Sequence, residues 1–354
     1  MKRKNLFKII SAMLICILLF NSYDASATIF AESEEWNYAE FYRIKGWGNI
    51  ELKEQIDMLD VPKEYIIGAD AEQLIKYVVN YPLLIDAYVY DNPEQGVEHI
   101  RNTCSALDEL LKRDDALGLI NKALEDVSRY IDEDNIQGEL AESVAEGFLK
   151  LLLQTEFGIK SQNGSFVNSG VEYSVTRNIT SSISITTTYF KGLYTLNNVS
   201  FNCLYYKTGE LTAAQKQQVD TAFGNAHPEW TKLQSASTRY NCHSYALIST
   251  SNSNVYWLSC PAAIYNSSMY TQLSANPSSA QPGDKVLLRG SSYSYDEFNN
   301  YHNILHSANI ISTGSLTAAI QTESKLGPVG TYRTSLANII ELYDADSYEI
   351  YRHN

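Results

Sequence analysis

Between about Glu34 and Phe157 the apolar residues recur at intervals of three and four. Val97, Ile100, Cys104, Leu107 and Leu111 form one series, Leu117, Ile120, Leu124, Val127 and Ile131 a second, and Leu140, Val144, Phe148 and Leu151 a third. Each series makes one apolar face of an α-helix, because a 3.6-residue turn brings those positions to the same side. Asp70 is placed to cap a helix running to Tyr81. Pro82 and Pro93 suit first-turn positions, where a missing N–H leaves nothing unsatisfied. The series share no fixed period, so no repeat array is expected.

The pattern changes at about Ser161. From there to Tyr206 the chain is rich in Ser, Thr, Asn and β-branched residues, and it alternates at Val171, Tyr173 and Val175 and at Val199, Phe201, Cys203 and Tyr205. Alternation of period two predicts strands, with turns at Gly164 and Gly170. Thr212 and Gln215 have the spacing of a capping box, which predicts a helix ending near Phe223-Gly224. Beyond about residue 225 the chain reads as a short helix from Cys242, a loop rich in Ser and Asn, and three or four strands. The expected fold class is α+β in three parts: an all-helical domain over 33–158, a strand-rich connecting region over 159–224, and an α+β domain over 225–354.

The first 27 residues read as a signal peptide. Lys2, Arg3, Lys4 and Lys8 precede an apolar run from Ile9 to Phe20, and Ala25-Ser26-Ala27 then supplies the small residues of a cleavage site. That run is shorter than the ~20 residues a membrane-spanning helix needs, so a secreted, extracellular protein without a stable membrane anchor is expected. Cys16 follows bulky Ile15, which argues against lipid attachment there.

Charge separates the two halves. Residues Glu32 to Gly158 hold 28 acidic and 11 basic side chains, whereas Ile159 to the end holds 12 of each. An acidic region beside a neutral one provides no basic stripe for phosphates, so nucleic acid is not an expected partner. The acidity reads as a solvated surface that keeps the chain soluble.

Cys104 and Cys203 fall on apolar faces, where cysteine acts as a small buried hydrophobe. Cys242 differs, because it lies in the polar junction Arg239-Tyr240-Asn241-Cys242-His243-Ser244-Tyr245-Ala246 where a helix begins. A first-turn thiol feels the helix dipole and unpaired N–H groups, which favour the thiolate. In an oxidising compartment a disulfide to Cys260 is the competing reading.

Downstream, Pro282-Gly283-Asp284 predicts a turn into a strand, and His306 is expected to open the next one. Held by backbone hydrogen bonds, such a histidine suits a base that must stay within about 3 Å of a thiol. His302 is its rival, in Asn299-Asn300-Tyr301-His302, which reads as a loop. A third strand near Leu316 to Glu323 offers Gln321 and Glu323 on one face, and either could orient the imidazole. His243 adjoins Cys242 but points about 100° away on a helix, so it packs or faces solvent. His99 lies beside an apolar stripe, and His227 and His353 have no acidic or thiol company at ligand spacing. Neither Cys-x-x-Cys nor His-Glu-x-x-His occurs, so no metal or other cofactor is expected.

The order of a cysteine at a helix start, a Gly-Asp turn, a histidine on the next strand and a polar residue on the strand after resembles the NlpC-type papain-like cysteine peptidases and amidases. More narrowly, Tyr240-Asn241-Cys242-His243-Ser244-Tyr245-Ala246, His306-Ser307-Ala308, Glu323-Ser324-Lys325-Leu326-Gly327 and Gly330-Thr331-Tyr332-Arg333 are similar to those of a group of uncharacterised secreted bacterial proteins. The resemblance covers about residues 230–335. It implies a papain-like C-terminal domain with Cys242 as nucleophile, His306 as base and Gln321 or Glu323 as the third group. The implied function is a secreted thiol hydrolase acting on an amide or peptide bond, with cell-wall peptide as the first substrate class.

The chain departs from the family's pattern beside the nucleophile. Asn241, His243 and Ser244 replace the usual residues of Asp-Cys-Ser-Gly, and Ser307-Ala308-Asn309 replaces the usual Val-Gly after the histidine. These departures favour an alternative, a catalytically inactive binding or surface-interaction protein on the same scaffold. Its 26 tyrosines would suit contact surfaces. A transglutaminase or deamidase would use the same dyad with a different acyl acceptor.

Overall fold

The computed structural model describes residues 36–354 except 91, 159–171, 181–182, 197–198 and 297. The signal peptide and the turns at Gly164 and Gly170 lie outside the described residues.

The N-terminal region is helical: α1 (Ala39–Tyr42), α2 (Leu52–Leu59), α3 (Lys63–Gly68), α4 (Ala71–Val79), α5 (Pro93–Thr103), α6 (Ser105–Leu111), α7 (Ala116–Glu125) and α8 (Ala141–Glu156). Asp70 caps α4 by accepting the Gln73 N–H at 2.9 Å. The helix stops two residues short of Tyr81, because Asn80 donates its side-chain amide to Lys76 O and to Tyr130 O of a distant segment. The series through Cys104 is two helices, not one. Cys104 is extended, and Asp60, from the end of α2, accepts both the N–H and the hydroxyl of Ser105 at 2.8 and 2.6 Å to start α6. Pro93 opens α5 behind the cap Asn92, whereas Pro82 is followed only by a 3-10 turn at Leu84–Tyr88.

Two antiparallel sheets follow. One has strand order β1 (Glu172–Thr180), β2 (Ile183–Leu196), β3 (Val199–Thr208), β5 (Tyr256–Leu258). The other has order β4 (Thr231–Gln234), β10 (Gly330–Ser335), β9 (Gln321–Leu326), β8 (Tyr301–Ile310), β7 (Lys285–Tyr295), β11 (Ser347–His353), β6 (Tyr270–Leu273). The predicted capping box is present at α9 (Ala213–Ala226), where Thr212 and Gln215 bond reciprocally. Three short helices, α10 (Cys242–Leu247), α11 (Ala262–Tyr265) and α12 (Leu336–Leu342), complete the C-terminal part.

The chain is thus mixed helix and strand, with a helical N-terminal region and antiparallel sheets. The stretch 172–208 does more than connect, because β3 pairs with β5, which lies beyond Cys242 in sequence. Pairing satisfies an edge that would otherwise leave a row of unbonded N–H and C=O groups.

The acidic and neutral regions share one core. A single buried apolar cluster runs from Trp36, through α4 to α8, to Ile339 and Ile350. Polar links cross the same boundary: Tyr90 donates to Leu342 O at 2.8 Å and Tyr343 to Val89 O at 3.1 Å. Gly327, with φ +42°, sits so close to this junction that a Cβ there would lie 2.7 Å from Val89 O. Among the described residues, no helix is long and apolar enough to cross a membrane.

Candidate functional site

Cys242 is the first residue of α10, and Asn241 caps it. The Asn241 carboxamide oxygen accepts the Ser244 N–H and the Leu258 N–H, both at 3.2 Å, while its nitrogen donates to Leu258 O at 2.8 Å. One side chain therefore caps the helix and ties it to β5. Asn254 adds a second tie, bonding Ser244 Oγ and donating to Ser249 O at 2.8 Å. Six residues make too short a helix for much of a dipole, so activation of the thiol has to come from its neighbours.

The described cysteines all carry thiols, so Cys242 is not joined to Cys260. Burial pushes the thiols of Cys104 and Cys203 up to about 12, which keeps them protonated as core residues. Cys242 is also buried, at 3% exposure.

β8 begins at Tyr301, earlier than expected, because Tyr301 pairs with Tyr295 and His302 with Ser294 of β7. His302 is thus a strand residue, and His306 lies within the strand instead of opening it. Between them the register slips: His306 pairs with Leu288 and Ile304 with Arg289, so Leu305 and His306 together oppose one residue. Such a bulge turns both side chains to one face. Leu305 packs against the main core, and His306 stacks on Tyr343 with ring centroids 4.0 Å apart. Ile304 joins the other cluster, with Ala246 and Leu247 of α10. A second register shift follows, on the β7 side between Arg289 and Ser294, and His302 beyond it lies close enough to His243 of α10 to act on it electrostatically.

His306 is therefore on the far side of the sheet from α10. Both of its ring nitrogens are buried without a hydrogen-bond partner, and burial, aided by nearby His243, holds it well below the ordinary histidine range. It does not reach Cys242 as expected. The one-residue slip decides this, since it reverses which face each later side chain occupies.

Ser307, one residue on, faces α10. Its Oγ lies 2.8 Å from His243 Nδ1 and accepts the Tyr265 hydroxyl at 3.3 Å. Burial, with a smaller contribution from nearby His302, pushes His243 down to about 3. Tyr265 is shifted upward, first by burial and, among lesser causes, by the Cys242 thiol. Cys242, His243, His302, Ser307 and Tyr265 thus make one cluster around the start of α10. Within it, His302 Nδ1 accepts the Ile304 N–H at 3.2 Å, which places the proton of the neutral ring on Nε2.

Glu323 and Gln321 lie on one face of β9, two residues apart, and Glu323 pairs with Asn309 of β8 and Arg333 of β10. Glu323 accepts from Arg333 Nε and Nη2 at 3.1 and 2.6 Å, and it contributes, after burial, to raising Tyr245 of α10. Gln321 donates its backbone N–H to Ser312 Oγ at 2.7 Å. Neither side chain orients His306, which faces the other way. Neither reaches His302, since Asn309 is roughly 20 Å further along β8 at ~3.3 Å per residue.

Sequence reasoning missed Ser307, Tyr265 and Asn254, which are distant or unremarkable in sequence. The Asn241 cap was legible, because asparagine directly before a helix start is a capping signal. Among the described residues, no three His, Cys, Asp or Glu side chains are grouped as a metal would require. Compared with protein-family models, curated proteins and solved structures, the chain matches none.

Proposed function

We propose that the protein is a secreted thiol hydrolase of papain-like type that cleaves an amide or peptide bond, with Cys242 as nucleophile and His302, in place of His306, as its base. The observation that carries this reading is the packing of α10, with Cys242 in its first turn, against β8, with His302 close to His243 beside that thiol. In the reaction His302 takes the thiol proton, the thiolate attacks the carbonyl carbon, and the leaving amine departs with a proton from His302. Water then hydrolyses the thioester. Because Nδ1 of His302 accepts the Ile304 N–H, taking up that proton at Nδ1 requires this 3.2 Å contact to open. Cell-wall peptide is the first substrate to try, by analogy of the motif alone.

A second reading, a binding protein on an inactive scaffold, is favoured by a separate observation. Tyr293, Tyr295 and Tyr301 are 55%, 65% and 61% exposed, and Tyr301 lies 5.0 and 4.9 Å from the other two rings. Three contacting exposed aromatics are more than scattered surface hydrophobes.

The test is labelling by a thiol-reactive probe at about pH 6, where an unassisted thiol is almost wholly protonated. The hydrolase reading expects rapid labelling that is lost in Cys242→Ser, slowed at least tenfold in His302→Ala and unchanged in His306→Phe. Slow labelling of the wild type, or no effect of His302→Ala, would turn the search to binding partners.

A further inference from the structure

His243 stands next to the proposed nucleophile, and the hydrolase reading gives it no role. A second histidine that could titrate or rotate beside Cys242 would blur the ionisation of the site. Its surroundings are specific. Tyr265, from α11, donates its hydroxyl proton to Ser307 Oγ, and Ser307, from β8, lies 2.8 Å from His243 Nδ1. A hydroxyl has one proton to give. With the tyrosine proton directed at Ser307, the serine proton is free to point at Nδ1, leaving the imidazole proton on Nε2. All three residues are buried.

We propose that Tyr265 and Ser307 form a buried relay that locks His243 as the neutral Nε2–H tautomer, making His243 a positioning residue beside Cys242 and leaving the role of base to His302. The assignment of His302 and Cys242 rests on the hydrolase reading; the tautomer of His243 does not. The titratable groups around His243 are Cys242 of its own helix, His302 and His306 of β8, and Tyr265 of α11; Glu323 of β9 acts on Tyr245 of α10 and is ion-paired with Arg333 of β10. Among the described residues, no carboxylate contributes to the electrostatics of His243, so nothing there stabilises its protonated form. Burial acts in the same direction.

Nitrogen NMR of isotope-labelled protein tests this, with the six histidines distinguished by a His243→Gln variant. The expected result is a His243 ring that stays neutral and Nε2-protonated from about pH 5 to about 8, the range in which an ordinary histidine titrates. Ser307→Ala should give a mixture of tautomers, and Ser307→Thr, which keeps the hydroxyl, should restore the single form. Should Ser307→Ala fail to fold, Tyr265→Phe keeps the ring, removes the donor, and is expected to give the same mixture. The proposal is overturned if His243 titrates in this range, if Nδ1 carries the proton, or if the variant that folds shows the wild-type signal. Labelling of Cys242 in the same samples reports on the hydrolase reading separately, since the tautomer is read whether or not the thiol reacts.

Discussion

His227 Nε2 lies 2.7 Å from Asp86 Oδ1, with both side chains fully buried, and this pair bolts the helical region to the segment after α9. Burial lowers the affinity of His227 for a proton, but the charge and hydrogen bond of Asp86 together outweigh it and raise the histidine above its ordinary value. Removing either partner leaves an uncompensated buried group, so His227→Ala and Asp86→Ala should each cost about 3–5 kcal/mol. Urea unfolding of the variants measures this.

The same pair predicts a pH dependence. A histidine raised in the folded state adds stability that is fully present below its unfolded value of about 6.5. That contribution is lost as pH rises through the higher folded value. Urea midpoints should therefore fall with rising pH through that window in the wild type, and His227→Gln should abolish this component. An unchanged slope in the variant would place the dependence elsewhere.

His306 is stacked on Tyr343 with two unsatisfied nitrogens, so phenylalanine should serve as well there. An unpaired buried polar group costs roughly 1–3 kcal/mol. His306→Phe is expected to raise the thermal midpoint or leave it unchanged. A large loss of stability would show that a ring nitrogen has a partner.

Asn241 serves α10 and β5 at once. Asn241→Ala should lose a cap worth about 1 kcal/mol together with the bonds to Leu258. Asn241→Asp keeps the acceptor but sets a buried carboxylate oxygen against Leu258 O, so its unfolding free energy should fall at least as far as that of alanine.

Glu323 was a candidate third catalytic group and is paired with Arg333, whose side chain is 44% exposed. Such pairs contribute less than about 1 kcal/mol. Glu323→Gln is expected to leave both stability and Cys242 labelling near wild type. A tenfold loss of labelling would restore it to the site.

Local rules were legible in the sequence where the responsible groups are neighbours along the chain. The Asp70 cap, the Thr212 capping box, the buried face of α8 through Val144, Phe148 and Leu151, and the start of α10 at Cys242 all follow from residues within four positions of one another. The series through Cys104 and the series from Leu117 to Ile131, by contrast, each outrun a single helix. Gln321 and Glu323 were rightly placed on one face by period two alone. The unequal charge of the two regions was equally plain, yet it did not mark separate cores.

Tertiary structure decided what depends on partners far along the chain. Asp60 breaks the helix at Cys104, Asn80 ends α4 against Tyr130, and β3 is completed by β5. Above all, the bulge at Leu305 sends His306 into the core and leaves Ser307 facing α10. Sequence spacing says which residues alternate, but a single unpaired residue inverts the alternation. Only the register against β7 reveals that residue.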